Sequence, residues 1–208
     1  MRAFAVLLTS MSFLVSAPAA LAQTSGAADP SDPQQSSKKP SKKETTTSSG
    51  AASYGVDPDA PPRVLVAGTV AKRMANGYAA APAAAPAAVQ EAVFAANEIV
   101  GMPYRYGGGH ASFEDTGYDC SSTVSYALHG GGLLDAPMPS GSFMTWAAKG
   151  KGRWITTYAN GGHMWVNIAG LRLDTSSAGE PVSSGEGPRW RRNLRGGRGF
   201  VKRHPRGL

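Results

Sequence analysis

Cysteine is almost absent from this 208-residue chain: Cys120 stands alone, so no intramolecular disulfide can form and a disulfide-stapled scaffold is excluded. Long apolar runs are missing beyond the N-terminus, and nothing later approaches the roughly 20 apolar residues that a spanning helix needs. Between Gln23 and about Pro61 large apolar side chains are scarce. That segment is Ser, Thr, Lys, Pro and Gly, too polar to offset the entropy of ordering. Acidic residues are absent from Arg189 to Leu208, where eight basic ones stand: Arg189, Arg191, Arg192, Arg195, Arg198, Lys202, Arg203 and Arg206. Removing those eight from the formal +7 leaves −1 for the rest of the chain, so the basicity belongs to the C-terminal segment. No second cysteine stands at ligand spacing, which makes a zinc site of Cys120, His163 and Asp174 a poor reading. No metal or other cofactor is expected. No aromatic-rich nucleic-acid motif accompanies the arginines, so nucleic acid is not an expected partner.

What is present begins with an export signal. Arg2, the apolar run Ala3 to Val15 and the ending Ala20-Leu21-Ala22 read as a signal peptide over 1–22, cleaved before Gln23. The expected product is periplasmic or secreted, with no transmembrane segment in the mature chain. A leader over 23–61, a folded domain over 62–188 and a basic segment over 189–208 follow. A solvated tail is the default reading of that last segment, loosened by Gly196, Gly197 and Gly199. Folding back of Arg189, Trp190 and Arg191 is left open. An anionic wall polymer or lipid headgroups would suit its charge.

Val64, Leu65, Val66 and Val70 suffice for a short strand or extended segment, and the Ala/Pro stretch 79–86 reads as a connector. Pro86 suits a helical first turn, and Val89, Ala92, Val93, Ala96, Ile99 and Val100 recur at helical spacing up to Gly101. A second helix is expected to begin at Cys120, with Asp119 as N-cap and Val124, Ala127 and Leu128 on its apolar face, and to stop at Gly130 to Gly132. Strands are expected over 153–158, 163–168 and 171–175, joined by Asn160-Gly161-Gly162 and Ala169-Gly170. Helices followed by an antiparallel sheet give an α+β domain.

A thiol is a useful nucleophile only when ionised, which a helix N-terminus and a nearby imidazolium both favour. Cys120 has the first, together with unpaired backbone N–H groups suited to an oxyanion. His163 supplies the imidazole, opening a strand after a glycine turn. If Ala169-Gly170 is a two-residue hairpin loop, Ile168 faces Leu171 and Trp165 faces Asp174, so Asp174 is a diagonal neighbour of His163 on one face. The same register gathers Met164, Val166, Ile168, Leu171 and Leu173 on the other. A carboxylate-oriented imidazole is what nucleophilic catalysis requires. Thr175 would take that role in the alternative register. His110 reads as a solvated or structural loop histidine rather than a second base or metal ligand, and His129 and His204 have ordinary explanations at a helix end and in the basic segment.

Three motifs in order, Gly101-Met102-Pro103-Tyr104-Arg105-Tyr106-Gly107-Gly108, then Tyr118-Asp119-Cys120-Ser121, then Gly162-His163 opening a hairpin that ends Leu173-Asp174, resemble the NlpC-type cell-wall endopeptidases of papain-like fold. The resemblance covers about residues 88–176. It implies helices packed on a small antiparallel sheet with the nucleophile at a helix N-terminus, and a cysteine peptidase that hydrolyses an amide bond in peptidoglycan stem peptides. It implies Cys120, His163 and Asp174 as catalytic residues, Tyr104 near the oxyanion, and Asp119 and Ser121 as recognition residues. Tyr106 and Trp165 are further candidates for lining the cleft. Ser122 and Trp165 stand where the family usually has glycine. A silent wall-binding module on the same fold, or an acyltransferase using the same thiol, are the alternative readings.

Overall fold

The computed structural model describes residues 60–181, 183, 185–192 and 194–208. The expected signal peptide and nearly all of the expected leader lie outside them.

The first helix, α1 (Ala87–Ile99), starts after Pro86 and buries Val89, Ala92, Val93, Ala96 and Ile99, the face its periodicity predicts. The second, α2 (Cys120–Gly130), is fixed at its start by a capping box: the Asp119 carboxylate accepts from Ser121 N and Ser122 N, and the Ser122 hydroxyl accepts from Asp119 N at 2.9 Å. Ser122 is thus part of the cap. The two helices cross where Gly130 meets Ala95, so closely that a Cβ at Gly130 would collide with the Ala95 Cβ. Gly130→Ala is therefore expected to lower the urea-unfolding free energy by about 1–3 kcal/mol, the usual cost of overpacking. An unchanged midpoint would show that the crossing can open.

Helix α2 also lies on a six-stranded sheet. Its strands are β4 (Ala148–Lys149), β5 (Ile155–Ala159), β6 (Met164–Ile168), β7 (Leu171–Asp174), β8 (Arg189–Arg191) and β9 (Val201–His204), in the order β4-β9-β5-β6-β7-β8. All five neighbouring pairs are antiparallel. The β6–β7 hairpin has the register set by its apolar pattern, Ile168 opposite Leu171 and Val166 opposite Leu173. Its two loop residues, Ala169 and Gly170, both have positive φ (46° and 88°), the conformation a two-residue turn of matching twist requires. Between α2 and β4 lies a single turn, α3 (Ser140–Phe143), that buries Phe143.

Two expectations are corrected. The Ala/Pro stretch is a strand, β3 (Ala79–Pro82), fully buried at the centre of a small sheet. It runs parallel to β1 (Leu65–Val66) and antiparallel to β2 (Lys72–Arg73). Buried Asn97 holds it to α1, donating to Ala79 O at 2.8 Å and accepting from Ala79 N at 2.9 Å. The basic segment is not a loose tail. Arg189–Arg191 forms the edge strand beside β7, and Val201–His204 runs between β4 and β5. The domain is therefore α+β with a six-stranded antiparallel sheet, to which β8 and β9 of the basic segment belong.

Candidate active site

Cys120, partly exposed, is the first residue of α2. Four N–H groups at a helix start lack intrahelical partners. Here Ser121 N and Ser122 N bond to Asp119 Oδ1, and Thr123 N to Asp119 O. Among the described residues, only Cys120 N of this turn has no protein acceptor. The donor adjacent to the thiol is thus left for an incoming oxygen.

His163 is carried to the thiol by the β5–β6 loop. Asn160 Oδ1 accepts from both Gly162 N and His163 N at 2.9 Å, and Asn160 N donates to His163 O, which closes the loop and fixes the backbone of His163. Its Nε2 lies 3.0 Å from Asp174 Oδ1, the diagonal contact that strand parity requires. With a carboxylate as acceptor, Nε2 carries the proton, and Nδ1 is the ring nitrogen that remains for proton transfer. Burial works against charge on the ring, but the bonds to Asp174 and then to Cys120 outweigh it and push its pKa up to about 9.

A group raised in the folded state stabilises the fold below its unfolded pKa, and that stability is lost as pH rises through the folded value. Between about pH 6.5 and 9 the His163 imidazolium is retained by the folded chain and released by the unfolded one. Urea-unfolding free energy is accordingly expected to fall from pH 6.5 to 9.5, and the fall to be much smaller in His163→Gln. Equal pH dependence in the two proteins would overturn this assignment.

Asp174 is buried, 1% exposed. Its Oδ1 also accepts from Ser176 N at 2.9 Å, while Oδ2 faces Arg172 Nε at 3.7 Å and Arg195 Nη1 at 3.6 Å. Thr175 is not needed as orienting group. Tyr104, 45% exposed, sits on the loop before α2, its backbone bridged to Tyr118. Burial raises its phenol pKa, followed by the charges of Cys120 and Asp119, so the hydroxyl stays protonated.

Other sequence candidates are placed differently. Asp119 and Ser121 are 6% and 3% exposed, and their polar atoms are engaged within the protein. Asp119 Oδ2 accepts from Gly107 N at 3.2 Å and from His110 Nε2 at 2.9 Å; Ser121 Oγ lies 3.0 Å from Asp119 Oδ1 and 3.2 Å from His110 Nε2. His110 is thus a structural partner of the turn that precedes Cys120. The loop reaches it through Gly109, whose φ of +75° and whose approach, with a Cβ 2.7 Å from that of Ser122, admit only glycine. Burial pushes the Asp119 carboxyl up, but the Ser122 N–H and His110 bring it below the usual carboxylate range. Tyr106 is 90% exposed and projects away from the protein.

Trp165 requires a correction. It shares the His163 face, with ring centroids 6.2 Å apart, but it is completely buried and cannot line an open cleft in this structure. It stacks on Tyr158 at 4.8 Å and is covered by Phe200 and by the Arg195 guanidinium, 4.8 Å from its ring. Phe200 also meets the His163 ring edge-on at 6.5 Å. Arg172, Arg195 and Phe200, which sequence reasoning missed, therefore surround the His163–Asp174 pair.

A cavity of about 540 Å³ lies away from the thiol, lined by Arg73, Tyr78, Gly101, Glu180, Arg189 and Trp190 among others. The cluster of Cys120, His163 and Asp174 is the better candidate because it joins a thiol at a helix start to an imidazole held by a buried carboxylate. Among the described residues no group of three or more His, Cys, Asp or Glu is placed to hold a metal ion, and no helix is long and apolar enough to cross a membrane. The chain matches no protein-family model and no curated protein.

Proposed function

We propose that this chain is an exported cysteine hydrolase that cleaves an amide bond in peptidoglycan stem peptides. The observation that carries the chemistry is a thiol at the start of α2, its own N–H without a protein acceptor, together with a His163 ring anchored by buried Asp174. The resemblance of the three motifs supplies the substrate class and papain-like architecture, and the signal peptide the export.

In this mechanism the Cys120 thiolate attacks the amide carbonyl, and the oxyanion is held by Cys120 N–H with the Tyr104 hydroxyl beside it. The His163 imidazolium protonates the leaving amine from Nδ1 while Asp174 holds Nε2, which fixes both tautomer and ring orientation. His163, now neutral, takes a proton from water as its oxygen attacks the thioester, which releases the carboxylic acid and restores the Cys120 thiolate beside the His163 imidazolium. Because the side chains of Asp119 and Ser121 are engaged internally, their part in recognition is to shape the turn rather than to offer free groups.

The test is mass spectrometry of purified peptidoglycan fragments after incubation with the protein. New stem-peptide fragments would support the reading and name the bond. Intact fragments, with the protein retained on the wall polymer, would replace it with a binding module. Products in which the acyl group has passed to an added amine would identify a transferase.

A further inference from the structure

The C-terminal basic segment reaches the reactive cluster at three points. Arg191, 1% exposed, donates from Nε to Asp174 O at 3.0 Å and from Nη2 to Thr175 O at 3.0 Å, clamping the backbone that carries the carboxylate. Arg195 Nη1 stands 3.6 Å from Asp174 Oδ2. Phe200 covers Trp165 and borders His163. A solvated tail would make none of these contacts.

We propose that Arg195 is a positioning residue for the reaction: by competing with His163 for the charge of Asp174, it sets how strongly the imidazole holds its proton and how firmly the ring is aimed. The role rests on the hydrolase reading only where turnover is concerned; the coupling itself does not.

The argument is one of charge sharing. Asp174 is a single buried anion, with His163 on Oδ1 and Arg172 and Arg195 toward Oδ2. The other charged groups packed around the cluster are Cys120 on α2, Arg191 on β8, and Glu180, which lies 3.8 Å from Arg172 Nη2. Two guanidinium groups within 4 Å of one carboxylate weaken its hold on a third cation, and in a buried setting that effect is little screened. Arg195 also repels the imidazolium directly. Both effects act in one direction, toward a less basic His163. The Arg195 guanidinium is held in place from the other side by the rings of Trp165 and Phe200, at 4.8 and 5.4 Å. The packed Trp165 thereby acquires a purpose, as the platform under the arginine.

Arg195 acts through Asp174, which holds Nε2, so its removal is expected to change kcat and leave KM nearly unaltered. The decisive readout is independent of substrate: titration of the His163 ring by NMR in the full chain, assigned with His163→Gln. In Arg195→Gln the His163 midpoint is expected to move up by about 0.5–1 pH unit. Arg195→Lys, which keeps the charge, should stay near the parent. Arg198→Gln, an exposed change in the same segment, should coincide with the parent. If the protein hydrolyses stem peptides, the alkaline limb of its pH–rate profile moves with the NMR midpoint, and kcat falls by up to about 10-fold because a more basic His163 is a weaker acid toward the leaving amine. An unmoved midpoint in Arg195→Gln, or an equal movement in Arg195→Lys, would overturn the proposal. Absence of turnover in the parent would overturn the hydrolase reading and leave the titration result standing.

Discussion

Under the proposed hydrolase reading, replacing Cys120 by Ala is expected to lower stem-peptide cleavage by at least about 10⁴-fold, the scale of losing a catalytic nucleophile. No other thiol exists in the chain to take over. The helix that presents Cys120 does not depend on the thiol: its start is fixed by Asp119 and Ser122, and its body by Val124, Ala127 and Leu128, all fully buried. Unfolding free energy should therefore change by no more than about 1 kcal/mol, as for a partly exposed side chain outside the packed core. His163→Ala should cost a similar factor in rate, and the double variant little more than either alone, because the two groups act as one unit. Fragment release by mass spectrometry beside a urea-unfolding series checks both halves. Full activity in Cys120→Ala would remove the covalent mechanism. Additive losses in the double variant would mean that His163 serves some step other than activating the thiol.

The parts of this site that were legible in the sequence are those set by short-range rules. Asp119 before an apolar-periodic run marks a helix start, and the structure has it as the N-cap of α2. Ala169-Gly170 between two apolar alternations marks a hairpin, and parity then carries Asp174 to His163 without knowledge of anything else in the fold. The illegible parts depend on partners distant in sequence. Ala79–Pro82 has the composition of a linker and becomes a strand because Asn97 and two flanking strands satisfy its backbone. Arg-Trp-Arg over 189–191 has the composition of a solvated patch. It is buried because carbonyls of Asp174, Thr175 and Gly185 surround the Arg191 guanidinium and because Asn97 accepts from the Trp190 indole at 2.8 Å. Burial lowers the pKa of Arg191 from its ordinary value, yet the carbonyl cage provides the hydrogen bonds that a buried charge needs. Parity gives Trp165 its face but not its environment, because only the returning segment shows that this side is covered.

That returning segment sets the second large expectation. A chain ending at Pro188 should give no cooperative thermal transition by circular dichroism. Removal of β9 leaves β5 as an edge strand and strips β4 of its partner, although Ile155, Thr157 and Ala159 of β5 are fully buried in the intact sheet. Loss of β8 breaks the Trp190–Asn97 bond that ties the large sheet to α1 and, through Ala79, to β3. Loss of Arg195 and Phe200 uncovers Trp165, a large apolar surface beside an exposed sheet edge, which is a recipe for association as well as unfolding. A graded version separates packing from chain length. Trp190→Ala in the full chain removes one buried indole and is expected to cost about 3–5 kcal/mol, the range for large-to-small changes in a core. Arg198→Gln should cost almost nothing, since that side chain is exposed. A truncated chain that melts cooperatively near the parent midpoint would mean that the first six-sevenths of the described fold is self-sufficient, roughly as a domain of that size with its own core could be. The failure of the shortened chain, together with survival of Arg198→Gln, would instead make residues 189–208 structural members of the domain whose arginines are needed where they are, against Asp174 and the strands that carry it.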